Sequence, residues 1–366
     1  MNRAFLFLIG VLFLLFTSLH TVSGEQIKFV SLKGMEFTLG GELEYEYVDT
    51  ENDAGIDNPV GHFQLDKFTL TPKIKVSENI MLEALLLFSS AGAYCSEAYA
   101  VFSNLPIFNS RLKIGLDDRF INDIPRPRTE GYALIDTAFA LDDDFGITWY
   151  GEYNSFLWFL SLTNGLELDT KSTFEDNSYH IFHDNRPVKE KNENKEVGLG
   201  LGLNNGFGSD SSLFILGFFF KGRLNEDEKD LLIDIDRELV TGSDDSSFYG
   251  VSAEYKLNKL TLSGKYISGL DSGLKRDGWF FQIYFDLNLS PSSSITPLFR
   301  YGVLNNNLEN DPAEPLTWDR DNTTVALLIT LVPGVILKTE YYINNEETGD
   351  AGVDNDELLI QLEIKF

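Results

Sequence analysis

Apolar and polar residues alternate one for one through most of Glu36 to Tyr47, and only an extended strand can turn such a pattern into one greasy face and one wet one. Phe37, Leu39, Leu43, Tyr45 and Tyr47 fall on one side; Glu36, Thr38, Glu42, Glu44 and Glu46 fall on the other. The pattern returns at Phe68, Leu70, Ile74 and Val76, at Trp279, Phe281, Ile283, Phe285 and Leu287, and at Leu358, Ile360, Leu362, Ile364 and Phe366. A chain with 13% aromatic residues and 30 glycines suits either a soluble β-sandwich or propeller or a membrane β-barrel. Strand length separates these classes. The alternating runs extend for about ten residues, the length a tilted strand needs to cross the hydrocarbon layer.

Connection lengths carry the same message. Strands are expected at roughly 35–48, 63–76, 79–88, 95–103, 110–117, 145–152, 156–163, 196–204, 212–221, 246–257, 260–269, 277–288, 295–304, 322–332, 335–344 and 357–366, about sixteen in all. Gaps after the even-numbered strands are tight, as at Asn154-Ser155, Asn258-Lys259 and Pro333-Gly334. Those after odd-numbered strands include 118–144, 164–195, 222–245 and 305–321. An even count with short turns at one end and long loops at the other is the plan of an all-β, antiparallel transmembrane barrel.

The N-terminus reads as an export signal. Met1-Asn2-Arg3 precedes an unbroken apolar run from Ala4 to Phe16, and Val22-Ser23-Gly24 offers a cleavage site before Glu25. Residues 1–24 are therefore expected to be removed, 25–34 to form a short periplasmic segment, and 35–366 to form the barrel in the outer membrane of a Gram-negative-type cell. The alternative of an uncleaved anchor needs about 20 apolar residues, more than this run supplies. After it, the most apolar piece, Leu213 to Phe220, is only strand length. Cys95 is the single cysteine, which excludes an intramolecular disulfide.

The chain ends on an apolar strand closing with Phe366, similar to the signal by which assembly machinery recognises outer-membrane barrels. Over most of its length the sequence also resembles the phosphate-selective porin O and P family. The resemblance is carried by Glu97-Ala98-Tyr99-Ala100-Val101-Phe102, Leu105-Pro106, Leu112-Lys113-Ile114-Gly115, Gly278-Trp279-Phe280-Phe281-Gln282 and Phe299-Arg300-Tyr301. It implies a porin, a homotrimer, passage of phosphate-like anions, and a long loop folding into the lumen after the 110–117 strand. Where that family usually enters the loop with a Gly-Gln-Phe-Lys type of sequence, this chain has Gly115-Leu116-Asp117-Asp118, and Asp142-Asp143-Asp144 leads out of it.

Charge bears on what such a pore would pass. The formal net charge is −28. Residues 222–245 hold nine acids against Arg223, Lys229 and Arg237, and residues 345–356 hold five acids and no base. An acidic mouth attracts cations, or holds divalent ions that bridge lipopolysaccharide. Lys67, Lys73, Lys75, Arg111, Lys113, Lys265, Arg300 and Lys338 are expected to face the lumen, interleaved with Glu42, Glu44, Glu46, Glu83, Glu254, Glu340 and Glu363. Such mixing favours paired side chains that stiffen the wall over a binding ladder. Arg119, Arg126, Arg128 and Glu130 are the candidate constriction residues, in the segment Asp118 to Asp144.

Other function classes lack their residues. His180 and His183, next to Asp184, could ligate a metal but have no fixed third ligand in sequence. The chain contains no Gly-x-Ser-x-Gly, P-loop or dinucleotide fingerprint, so neither an enzyme nor a cofactor is expected. Its negative charge opposes nucleic acid. The expected function is passive diffusion of small hydrophilic solutes or ions, weakly favouring cations by charge. The alternative is a non-conducting structural or adhesive barrel whose loops bind a partner.

Overall fold

A computed structural model describes residues 27–29, 35–50, 61–89, 92–121, 125, 128–139, 143–172, 179–185, 195–208, 210–235, 240, 242–306, 319–346 and 356–366. The export segment and Arg126 lie outside the described residues. Strand begins with β1 (Ile27–Phe29), β2 (Glu36–Thr50), β3 (His62–Ser77), β4 (Ile80–Ser89), β5 (Gly92–Leu105) and β6 (Ser110–Asp118). A short helix, α1 (Leu134–Ala138), then precedes β7 (Asp143–Tyr153) and β8 (Phe156–Thr163). After β9 (Leu166–Ser172) and β10 (Tyr179–Asn185) come β11 (Glu196–Gly206), β12 (Ser211–Arg223) and a second helix, α2 (Glu226–Ile235). The rest is β13 (Asp245–Leu257), β14 (Leu260–Asp271), β15 (Leu274–Phe285), β16 (Leu287–Ser290), β17 (Ser293–Asn306), β18 (Arg320–Val332), β19 (Val335–Glu346) and β20 (Glu357–Lys365).

Eighteen of these strands form one antiparallel sheet. β16 runs on from β15 against β17, and β1 continues the line of β20 against β2, so the wall has sixteen staves, as the alternation and loop lengths predict. β9 and β10 stand apart as a hairpin inside the segment read from sequence as an irregular loop. The sheet closes where β20 meets β2, from Thr50↔Glu357 to Glu42↔Lys365. Phe366 and Gly41 then exchange two backbone hydrogen bonds of 3.0 Å. Gly41 has to be glycine there, because a Cβ would stand 2.5 Å from the Phe366 ring. At the tight turns Asn154, Asn258 and Gly334 take positive φ, the conformation that two-residue hairpins demand.

The outer face is apolar and lies open to the surroundings. Leu199, Leu201, Trp279, Phe281, Phe299, Val325 and Leu327 are all exposed, far more greasy surface than a monomeric soluble protein shows. Exposed aromatics gather at two heights, with Tyr45, Phe63 and Tyr249 toward the long-loop end and Phe108, Tyr153, Phe156 and Phe207 toward the tight-turn end. Such girdles mark the two interfaces of a bilayer. No helix among the described residues is long and apolar enough to cross a membrane, and the strands make the crossing instead.

Candidate pore-lining site

The inner face contains more than the mixture of charges read from the sequence. Phe159 on β8, Phe218 and Phe220 on β12, Phe248 on β13, Ile267 on β14, Phe280 on β15 and Leu304 on β17 all point inward and are buried. What buries them is the segment between β6 and β7, which lies inside the barrel as the resemblance implies. Ile121, Ala133, Ile135, Ala138 and Phe139 of that segment pack onto the patch. Each large apolar side chain so covered contributes about 1.5–3 kcal/mol. Glycines in the wall make room for it: a Cβ on Gly269 would meet the Phe139 ring at 2.5 Å, and one on Gly278 would meet Ile135 at 2.4 Å.

Charged wall residues then hold the segment in register. Lys265 meets Asp136 at 2.9 Å and donates to the Ile121 carbonyl at 3.3 Å. Arg276 pairs with Asp271 at 3.0 Å and caps α1 by donating to the Ala138 carbonyl at 3.1 Å. Arg300 donates to Thr129 Oγ1 and to the Gly131 carbonyl, both at 2.8 Å. At the tip, Glu130 lies 3.2 Å from Lys67 and 3.0 Å from Lys338, while its backbone N–H donates to Glu340 at 3.0 Å. Tyr342 accepts the Gly131 N–H at 2.7 Å and donates to Glu340. Sequence reasoning placed Lys265, Arg300, Lys338 and Glu340 inward; Arg276, Asp136 and Tyr342 were missed.

The candidate constriction residues divide accordingly. Arg119 is 5% exposed, pairs with Glu196 at 2.9 Å and lies over the rings of Phe220 and Phe248, so it anchors the base of the loop. Arg128 stacks on Tyr284 at 4.5 Å with Asp286 at 3.8 Å, and it keeps 43% exposure. Glu130 is held at the tip by its two lysines.

Most of the other lumen charges are paired. Lys67 meets Glu44 at 2.8 Å and Lys73 meets Glu83 at 2.7 Å across strands, and Lys113 meets Asp117 at 2.6 Å along β6. Lys338 reaches Glu363 at 3.0 Å, Lys365 reaches Glu42 at 3.6 Å, and Gln361 donates to Glu46 at 3.2 Å. Glu254 lies across from Phe214 and Ser263. Lys75 and Arg111 are exposed near the tight turns. His180 and His183 fall on β10, opposite Lys171 and Leu168 in register.

No family model matches this sequence, and no curated protein does. Solved structures do match. OmpF of Salmonella typhi, in complex with daunomycin, superposes with a TM-score of 0.63 at 10% identity, over 93% of this chain and all of its own. The outer membrane channel DcaP of Acinetobacter baumannii gives 0.61 at 12% identity, over 92% of this chain and 99% of its own. OprB of Pseudomonas putida gives 0.62 at 9% identity, over 91% and 94%. The fold is that of the outer-membrane channel barrels.

Proposed function

We propose that this outer-membrane barrel is a passive diffusion channel for small hydrophilic solutes and ions, with its bore between the inward loop and the inner faces of β3 to β7. The observation that carries the reading is the one-sided placement of the loop. Wall residues beneath it, such as Lys265, Arg276 and Arg300, are buried, whereas Lys67, Lys73 and Lys113 keep 29%, 31% and 24% exposure. A wall charge that faces water inside the barrel faces whatever passes through it.

Selectivity is read as weakly cationic. The segments 222–245 and 345–356 carry fourteen acids against three bases, which is read as an acidic mouth, and most inward lysines are already neutralised by a carboxylate partner. The resemblance to the phosphate-selective porins favours phosphate-like anions instead, and would need Arg126 and Arg128 at the narrowest point. Reversal potentials in a KCl gradient, across planar bilayers, decide between them. The expected result is a modest cation preference, strengthened by Arg126→Glu with Arg128→Glu. Anion preference in the native protein, abolished by the same double change, would restore the phosphate reading; cation preference that ignores it would show that the loop does not line the path.

The same reading has residues 1–24 removed on export and the barrel assembled as a homotrimer, its rim bridged to lipopolysaccharide by divalent cations. A second reading, a structural or adhesive barrel, draws support from the folded cap at the long-loop end, where Leu168, Leu224, Leu232 and Leu274 form a small core. Absence of conductance under conditions where another barrel channel conducts would favour it.

A further inference from the structure

We propose that the open side of the bore carries a binding track for neutral polyhydroxylated solutes of the sugar type, along the lumen face of β4 and β5; the inference deepens the channel reading and rests on it. From Ile80 to Phe88, β4 has a single polar residue, Glu83, so it is apolar on both faces. β12 is apolar in the same way, and there the inward loop covers the inner side. Met81, Leu85 and Leu87 share the inward face of β4 with Glu83, where Met81 and Leu87 pair with Lys75 and Thr69 of β3, yet none of the three belongs to the cluster that the loop covers. On β5, Tyr94 faces Leu87 and is 56% exposed, and Tyr99 faces Glu83. An apolar and aromatic strip thus stands in the half of the barrel left open, and only a solute with an apolar face gains by meeting it.

What flanks the strip decides the class of solute. Lys73 pairs with Glu83 at 2.7 Å and Lys113 with Asp117 at 2.6 Å, so each pair is neutral as a unit and still offers donors and acceptors along its edges. Glu97, opposite Leu85, adds further acceptors. An ion would have to break a pair to be held. A sugar hydroxyl donates and accepts at once, and the C–H face of a sugar ring lies flat on an aromatic or leucine side chain. A separate feature calls for a hydroxyl. Lys113, whose ammonium lies 4.4 Å from the centre of the Tyr99 ring, and Asp117 also line a pit of about 10 Å³ against β6, β7 and β8. Ser161 and Thr163 in that pit are 5% and 8% exposed, and their hydroxyls have no hydrogen-bond partner among the described residues. Buried hydroxyls are rarely left so, and the pit has room for one oxygen, that of a water or of a solute lying on the strip.

The test titrates maltotriose, a neutral glucose trimer, against the single-channel conductance of the full-length barrel in symmetric KCl, with polyethylene glycol of similar mass for comparison. The expected result is a saturable fall in conductance with maltotriose, and only the gradual fall of a more viscous medium with the polymer. Leu85→Asn with Leu87→Asn should weaken the block roughly tenfold, and Thr163→Val, which keeps the side chain's shape, roughly fivefold. Heat-shifted migration on gels confirms that each variant folds. Calorimetry with maltotriose in detergent reads the same site without conduction, so a barrel that conducts nothing fails as a channel while its binding heats still decide the track. A conducting native protein in which maltotriose acts only as the polymer does, a native protein that gives no saturable heat, or a block unaltered in both variants overturns it.

Discussion

Asp136 and Lys265 meet at 2.9 Å with at most 5% of either side chain exposed, so removing one strands the other as a dry, uncompensated charge. Lys265→Met should destabilise the seating of the loop by about 3–5 kcal/mol, while Lys265→Met with Asp136→Leu should recover most of that loss. Melting of the barrel in detergent, compared across the single and double variants, measures the coupling. An additive pair would show that the two groups do not depend on each other. The inward aspect of Lys265 could be read from strand alternation alone. Its partner could not, because Asp136 lies 129 residues away and reaches it only once the loop has entered the barrel. Arg119 illustrates the same limit: its charge and place in the loop were legible, its burial against Phe220 and Phe248 was not.

At the scale of the element, period-2 patterning together with strand length and turn punctuation is strong enough to mark all sixteen staves, because most alternate over ten or so residues between turns. What it leaves out is local or two-sided. β9, β10 and α2 are short, and their stability comes from contacts between loops. β12 does contain the missed clue: Leu213 to Phe220 has no polar residue to present to a wet lumen, which signals that something apolar covers its inner side. α2 is the easiest of these elements to challenge. Asn225 accepts the Glu228 N–H through its side chain at 2.9 Å, Glu228 accepts the Asn225 N–H in return, and its other oxygen accepts the Leu168 N–H at 2.8 Å. Glu228→Ala should cost about 1 kcal/mol as a lost cap, and roughly 1–3 more for the orphaned Leu168 N–H. Amide exchange around Leu168 and Leu232 should quicken while exchange in the staves stays the same; quickened exchange throughout would mean the cap is part of the barrel's own stability.

For the whole molecule, the feature of greatest reach is the seam between β2 and β20. Gln361 on one side of it bonds Glu46 on the other, 315 residues earlier. Pairing across so long a separation comes late and at a high cost in chain entropy. Yet Ile27 and Phe366 sit two positions apart along β2, against Leu39 and Gly41. Topologically the polypeptide is a ring with one nick, and the location of the nick is arbitrary as far as the wall is concerned. A permuted gene that links Phe366 to Glu25 by a short flexible bridge and starts afresh at Asn258-Lys259 should yield the same barrel, with the same heat-shifted migration on gels, because that turn lies at the surface and its strands keep every neighbour. Failure of the permutant to close would mean that the order in which the staves arrive, and not only their final pairing, is written into this chain.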